Sequence, residues 1–121
     1  MTSPSHDLVE LGHRVEEGSE GPSHVWSFRV PEDLVHFRGH FPNHPVLPAV
    51  AQLEAMVLRS VERTYEGLGP LRRANRLKFV RPVAPGDALI LRLQRARDRV
   101  AFRVERGDDL VTSGILVFDA A

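Results

Sequence analysis

The chain contains no cysteine, which excludes disulfides, Cys-ligated zinc, iron–sulfur clusters and a thiol nucleophile. It also lacks an excess of either charge: 16 basic side chains, fifteen of them arginine, stand against 16 acidic ones. That balance removes the electrostatic footprint that nucleic acid or an anionic membrane demands, so neither is expected as a partner. No apolar run approaches the ~20 residues of a membrane span, and the first ten residues carry neither the basic start nor the apolar stretch of a secretory signal. A cytoplasmic location is the default expectation. What is present is 121 residues, 42% hydrophobic and 26% charged, the profile of one folded domain over residues 1–121. At this length folding removes roughly two-thirds of the unfolded chain's surface from water. The core is therefore small, and an enclosed ligand cavity is expected to need walls from a second subunit.

Turn residues divide the chain. Pro4, Gly12, Gly18, Gly21 and Pro22 punctuate the opening, so residues 1–22 read as a weakly ordered N-terminal segment holding one strand at about residues 9–15. Val25, Trp26, Phe28 and Val30 form a β-prone run that Pro31 closes. Gly39, Pro42, Pro45 and Pro48 then forbid a helix over residues 32–48 and favour an extended path. A helix is expected over about residues 48–66, with Pro48 near its first turn and Gly67 and Gly69 ending it. Four β-rich segments follow, at about residues 71–80, 88–95, 99–105 and 110–118, separated by turn sequences such as Pro85-Gly86-Asp87 and Gly107-Asp108-Asp109. This order predicts an α+β fold, an antiparallel sheet curled around one long central helix.

At 100° per residue, Gln52, Arg59, Glu62, Arg63 and Glu66 share a stripe expected to face solvent. Val50, Leu53, Val57, Leu58 and Val61 project the other way. Glu54 falls about 140° from the centre of the polar stripe, beside Val50, Val57 and Val61, and is therefore expected to be enclosed. An enclosed carboxyl without a partner favours its protonated form, as a general acid requires; the alternative is an ion pair with an arginine at the sheet's edge. His40, between Gly39 and Phe41, could act as a neutral base. His36, His40 and His44 recur every four residues, but Gly39 and Pro42 break the helix that would align them, and no acidic residue or cysteine lies among them. No metal site is expected. At the helix start the N–H groups of Ala49, Val50 and Ala51 lack intrahelical acceptors, and the helix dipole adds positive potential, so they can hold a carbonyl oxygen that becomes negative.

The stretch Phe37-Arg38-Gly39-His40-Phe41-Pro42-Asn43-His44-Pro45-Val46-Leu47-Pro48-Ala49-Val50-Ala51-Gln52-Leu53-Glu54-Ala55 resembles the signature of the bacterial (3R)-hydroxyacyl-(acyl carrier protein) dehydratases of the hot-dog superfamily. Lys78-Phe79-Val80-Arg81-Pro82-Val83-Ala84-Pro85-Gly86-Asp87 is similar to the strand and turn that follow in that family. The resemblance implies a hot-dog fold and dehydration of a 3-hydroxyacyl thioester to the trans-2-enoyl form. His40 would take the α-proton and Glu54 would assist the departing hydroxyl. Ala49 and Val50 would hold the thioester carbonyl. It implies a substrate tunnel along Phe37, Phe41, Pro48, Leu53, Val57 and Leu58. No cofactor is implied. The partner would be an acyl carrier protein bearing an acyl-phosphopantetheine arm; because such a carrier is acidic, Arg38, Arg72, Arg73, Arg76 and Arg81 are candidates to meet it, the alternative being that they are solvating surface charges. The chain would form a homodimer or a larger assembly, with the two catalytic residues of each site on different subunits. Ala49 stands where the family carries Gly, and Leu58 where the fatty-acid enzymes carry Gln. The run from Val46 to Leu53 is closer to the dehydratases of aryl-polyene pathways. A hot-dog thioesterase or isomerase, and a non-catalytic acyl-binding subunit, are the other readings of this fold.

Overall fold

The computed structural model describes residues 7–33 and 47–120. Among them six strands form one antiparallel sheet: β1 (Val9–Glu16), β2 (Ser23–Arg29), β3 (Leu68–Phe79), β4 (Ala88–Ala96), β5 (Arg99–Arg106) and β6 (Asp109–Ala120). Their spatial order is β1-β2-β4-β5-β6-β3, so β1 and β3 are the two edges. The alternating apolar residues expected from the sequence line the inner face: Leu89, Leu91 and Leu93 of β4, and Val100, Phe102 and Val104 of β5 are all buried. Successive strand side chains point to opposite faces, so alternation alone sets which face turns inward.

Between β2 and β3 lies a helix over residues 49–64. It begins as α1 (Ala49–Gln52), continues through a π-helical stretch (Leu53–Leu58) and ends as α2 (Arg59–Thr64). Ala51, Met56, Val57 and Val61 enter the core with Trp26, Phe28, Leu91, Phe102 and Leu116. The helix thus fills the concave side of the sheet. Its far end is tied down where Trp26 Nε1 donates to Thr64 Oγ1 at 3.0 Å. Arg59 and Arg63, on the flank toward β1, pair with Asp7 and Glu10.

The outer face of the sheet carries a row of ion pairs. Arg92 of β4 reaches Glu105 of β5 and Glu16 of β1, each at 2.7 Å. Beneath that row Val25 is fully buried although it lies outside the main core cluster. The arginine stem shields the valine between two strands, as long charged side chains can do while their heads stay wet.

Candidate active site at the helix start

The helix does not wind as the 100° wheel assumes, and two expectations fail for that reason. Gln52, placed by the wheel on the solvated stripe, is only 3% exposed. Glu54, placed among enclosed valines, is exposed. A π turn holds about one residue more than an α turn, so each residue advances roughly 80° instead of 100°. Over the six residues of the π stretch the two patterns drift apart by roughly 100°. Gln52 is carried off the stripe that Arg59 and Arg63 occupy, and Val57 and Val61 swing into the core. Val50 and Glu54 stay together on the opposite side, where Val50 is 63% exposed. Among the described residues the Glu54 carboxylate has no ion pair and no side-chain hydrogen bond, so no described arginine pairs with it.

The helix start is open as expected. Pro48 precedes it with φ −59° and ψ 152°, and no side chain among the described residues caps it. The first intrahelical bond runs from Gln52 N–H to the Pro48 carbonyl at 3.0 Å. The N–H groups of Ala49, Val50 and Ala51 therefore have no acceptor among the described residues. Ala49 and Val50 lie exposed, and Ala51 is buried. A carbonyl oxygen brought here would meet these amides and the positive end of the helix dipole, with Glu54 about one turn away. His40, Phe37, Arg38 and Phe41 lie outside the described residues, as do His36 and His44.

Val30 and Leu47, on either side of the residues not described, both bond to one turn. Val30 N–H donates to the Asp87 carbonyl at 2.8 Å, Gly86 N–H donates to the Val30 carbonyl at 2.8 Å, and Leu47 N–H donates to the Val83 carbonyl at 2.7 Å. Asp87 organises that turn by accepting from Ala84 N–H and from Arg106 Nη1, each at 2.8 Å. Gly86, at φ 84°, supplies the left-handed residue the turn needs. The Pro85-Gly86-Asp87 sequence signalled a turn, but nothing in it signalled that the turn would bond to both Val30 and Leu47.

Farther along the helix lies a cavity of about 330 Å³ lined by Leu58, Val61, Tyr65, Leu68, Leu71 and Phe118 among others. Among the described residues, Leu58 is the one expected tunnel residue that lines it. Pro48 and Leu53 are half-buried and Val57 is fully buried in the core. The Tyr65 hydroxyl is buried without a hydrogen-bond partner among the described residues, and burial pushes its pKa up, keeping it neutral. Sequence reading did not single out Tyr65. Of the candidate docking arginines, Arg72, Arg73 and Arg76 are exposed on β3 and Arg81 just beyond it.

A sheet of this order wrapped around one helix is the hot-dog fold. The same fold, with a TM-score of 0.74 at 24% identity over 97% of this chain and 98% of the other, occurs in "The Dehydratase Heterocomplex ApeI:P from Xenorhabdus doucetiae". The dehydratase domain of PpsC from Mycobacterium tuberculosis matches 89% of this chain and 42% of its own, with a TM-score of 0.69 at 16% identity. Residues 15–115 match the model of the ApeI-like family, described as ApeI dehydratase, and the chain belongs to that family. Among curated relatives, the 3-hydroxyacyl-[acyl-carrier-protein] dehydratase FabZ of Alkaliphilus metalliredigens is 32% identical over 92% of this chain and 81% of the relative. The FabZ of Thermus thermophilus is 46% identical over 63 residues, 46% of this chain and 44% of the relative. The match thus spans less than half the length of the Thermus protein.

Proposed function

We propose that the protein dehydrates (3R)-hydroxyacyl thioesters carried on acyl carrier protein to trans-2-enoyl thioesters. The observation that carries this reading is the juxtaposition of uncapped amides at Ala49 and Val50 with Glu54 on the same uncovered helix face, in a chain of the ApeI-like family. The amides would hold the thioester carbonyl and stabilise the negative charge that grows on its oxygen as the α-carbon loses its proton to His40. The β-carbon–oxygen bond then breaks, its electrons leaving with the hydroxyl, while the Glu54 carboxyl supplies the proton that completes water. No cofactor is required by these steps. The acyl chain would run along Pro48, Leu53 and Leu58 into the cavity at Tyr65 and Phe118.

The reading includes a homodimer. Glu54 and Val50 lie open on a single chain, and a second copy laid over this face would exclude water from the carboxyl and bring its own His40 segment to it. The proposal carries a cytoplasmic location, and a role in fatty-acid or aryl-polyene synthesis is its pathway-level form. Purified protein supplied with a 3-hydroxyacyl carrier thioester tests it: enoyl product is expected, with turnover lower by roughly 10²–10⁴-fold in His40→Ala and in Glu54→Gln at unchanged fold. Release of free acid would point to a thioesterase instead, and full activity in either variant would refute the mechanism.

A further inference from the structure

Gln52 is a primary amide in the interior, and buried amides are costly unless both ends find partners. Both do. Its Oε1 accepts from Thr112 Oγ1 at 2.6 Å, and its Nε2 donates to the Leu47 carbonyl at 3.1 Å. Thr112 is fully buried in β6, paired on one side with Phe79 and on the other with Val104, so a strand flanks it on each side. Leu47, buried to 2% exposure, also gives its N–H to Val83. The two backbone polar groups of Leu47 are therefore both committed, one to the turn after β3 and one, through Gln52, to β6. Two residues later come Ala49 and Val50, whose amides point to no acceptor among the described residues.

We propose that Gln52 is a positioning residue for the helix-start amides. It ties the Leu47 carbonyl to β6 and so fixes where Ala49 and Val50 present their N–H groups. This role rests on the dehydratase reading for its effect on turnover, but not for its effect on local order. A misplacement of about 1 Å at an oxyanion-binding amide is enough to cost rate by up to about 10²-fold. Removing the Nε2 donor frees the Leu47 carbonyl from its only side-chain tether among the described residues.

The test compares wild type, Gln52→Met and Thr112→Val by steady-state kinetics on a 3-hydroxyacyl carrier thioester and by backbone amide exchange. Gln52→Met is expected to lower kcat by about tenfold with KM within about twofold, Thr112→Val by less, and the double variant by no more than Gln52→Met alone. The Leu47 and Gln52 amides are expected to exchange at least about tenfold faster in Gln52→Met while those of β4 and β5 keep their protection. Unchanged local exchange, faster exchange across the whole sheet, or unchanged kcat in a variant whose Leu47 amide has loosened would each overturn the role. An inactive wild type would instead overturn the dehydratase reading, and the exchange arm would still decide whether Gln52 holds the helix start. If Gln52→Met fails to fold, Thr112→Val carries the same two measurements.

Discussion

His24 in β2 sits within a stack of rings. Its Nδ1 lies 2.9 Å from His13 Nε2, its ring lies parallel to His13, and the edge of Tyr65 meets it at 5.4 Å. Burial, and next the charge of His13, hold the His24 pKa below its ordinary value. The folded chain therefore favours the neutral ring, whereas the unfolded chain takes up a proton once pH falls below the ordinary His value of about 6.5. The stability that His24 contributes is complete above that pH and declines as pH drops from there to the lower folded value. The contact has the same requirement, since two protonated imidazoles cannot share one hydrogen bond. Urea midpoints measured between about pH 8 and about pH 5 should fall in the wild type and fall less in His24→Phe. Equal slopes in the two proteins would show that the His13–His24 contact does not respond to pH. The ring cluster was not legible beforehand, because His13 and His24 are eleven residues apart in sequence and meet only through the β1–β2 register.

At the scale of elements, β3 combines three departures from a plain strand. It begins at Leu68 and includes Pro70, where the sequence suggested a start at Leu71. Proline is tolerated because β3 is an edge, where a missing N–H need not leave a neighbour unpaired. Its register against β6 shifts at several points, and Arg76 takes a positive φ of 53° beside one of them. Irregularity of this kind twists and blunts an edge. The remaining strands were legible because each is closed by a turn sequence and alternates inward and outward; the helix was legible in extent but not in azimuth. The residues Leu53 to Leu58 carry no mark of a π turn, so the faces of Gln52 and Glu54 could only come from the fold. On β3 the exposed Arg72, Arg73 and Arg76, with Arg81 beyond them, form a basic edge despite the zero net charge of the chain. Among the described residues Arg81 has one charged contact, a long and exposed one with Asp109 at 3.8 Å, which leaves its charge available. If an acidic carrier docks here, reversing Arg72 and Arg73 together to Glu should lower kcat/KM by about tenfold at low salt, with kcat nearly unchanged and the difference shrinking as salt rises. A salt-independent loss, or a loss confined to kcat, would remove β3 from the docking surface.

At the scale of the molecule, the described residues leave two sheet edges and one helix face open, and they are not equivalent. On the β1 side Leu11 and Val15 are 58% and 49% exposed. On the other side the helix and β3 make one surface. The helix start is tied to Thr112, which pairs with Phe79 at the end of β3, and the helix end shares a cavity with Leu68 and Leu71 at its beginning. Val50, Leu71, Leu77, Phe79 and Val80 are all exposed on that side. Exposed large apolar residues of this kind mark an interface when they form one patch, and Val50 shares its helix face with Glu54. A homodimer through it would complete each site with the other chain's His40 segment. Light scattering is expected to give about twice the 13.6 kDa of one chain. Val50→Asp should yield a folded monomer, because a carboxylate there is solvated in the single chain but buried in the dimer. The same charge placed at Leu11 should leave the dimer intact. Turnover should vanish with the dimer in Val50→Asp and survive in Leu11→Asp. Mixing His40→Ala with Glu54→Gln chains separates a shared site from two self-sufficient ones. When each site draws its histidine from one chain and its acid from the other, a mixed dimer holds one intact site and recovers up to about a quarter of wild-type activity under random exchange. No recovery in a demonstrated heterodimer would place both residues of each site on one chain.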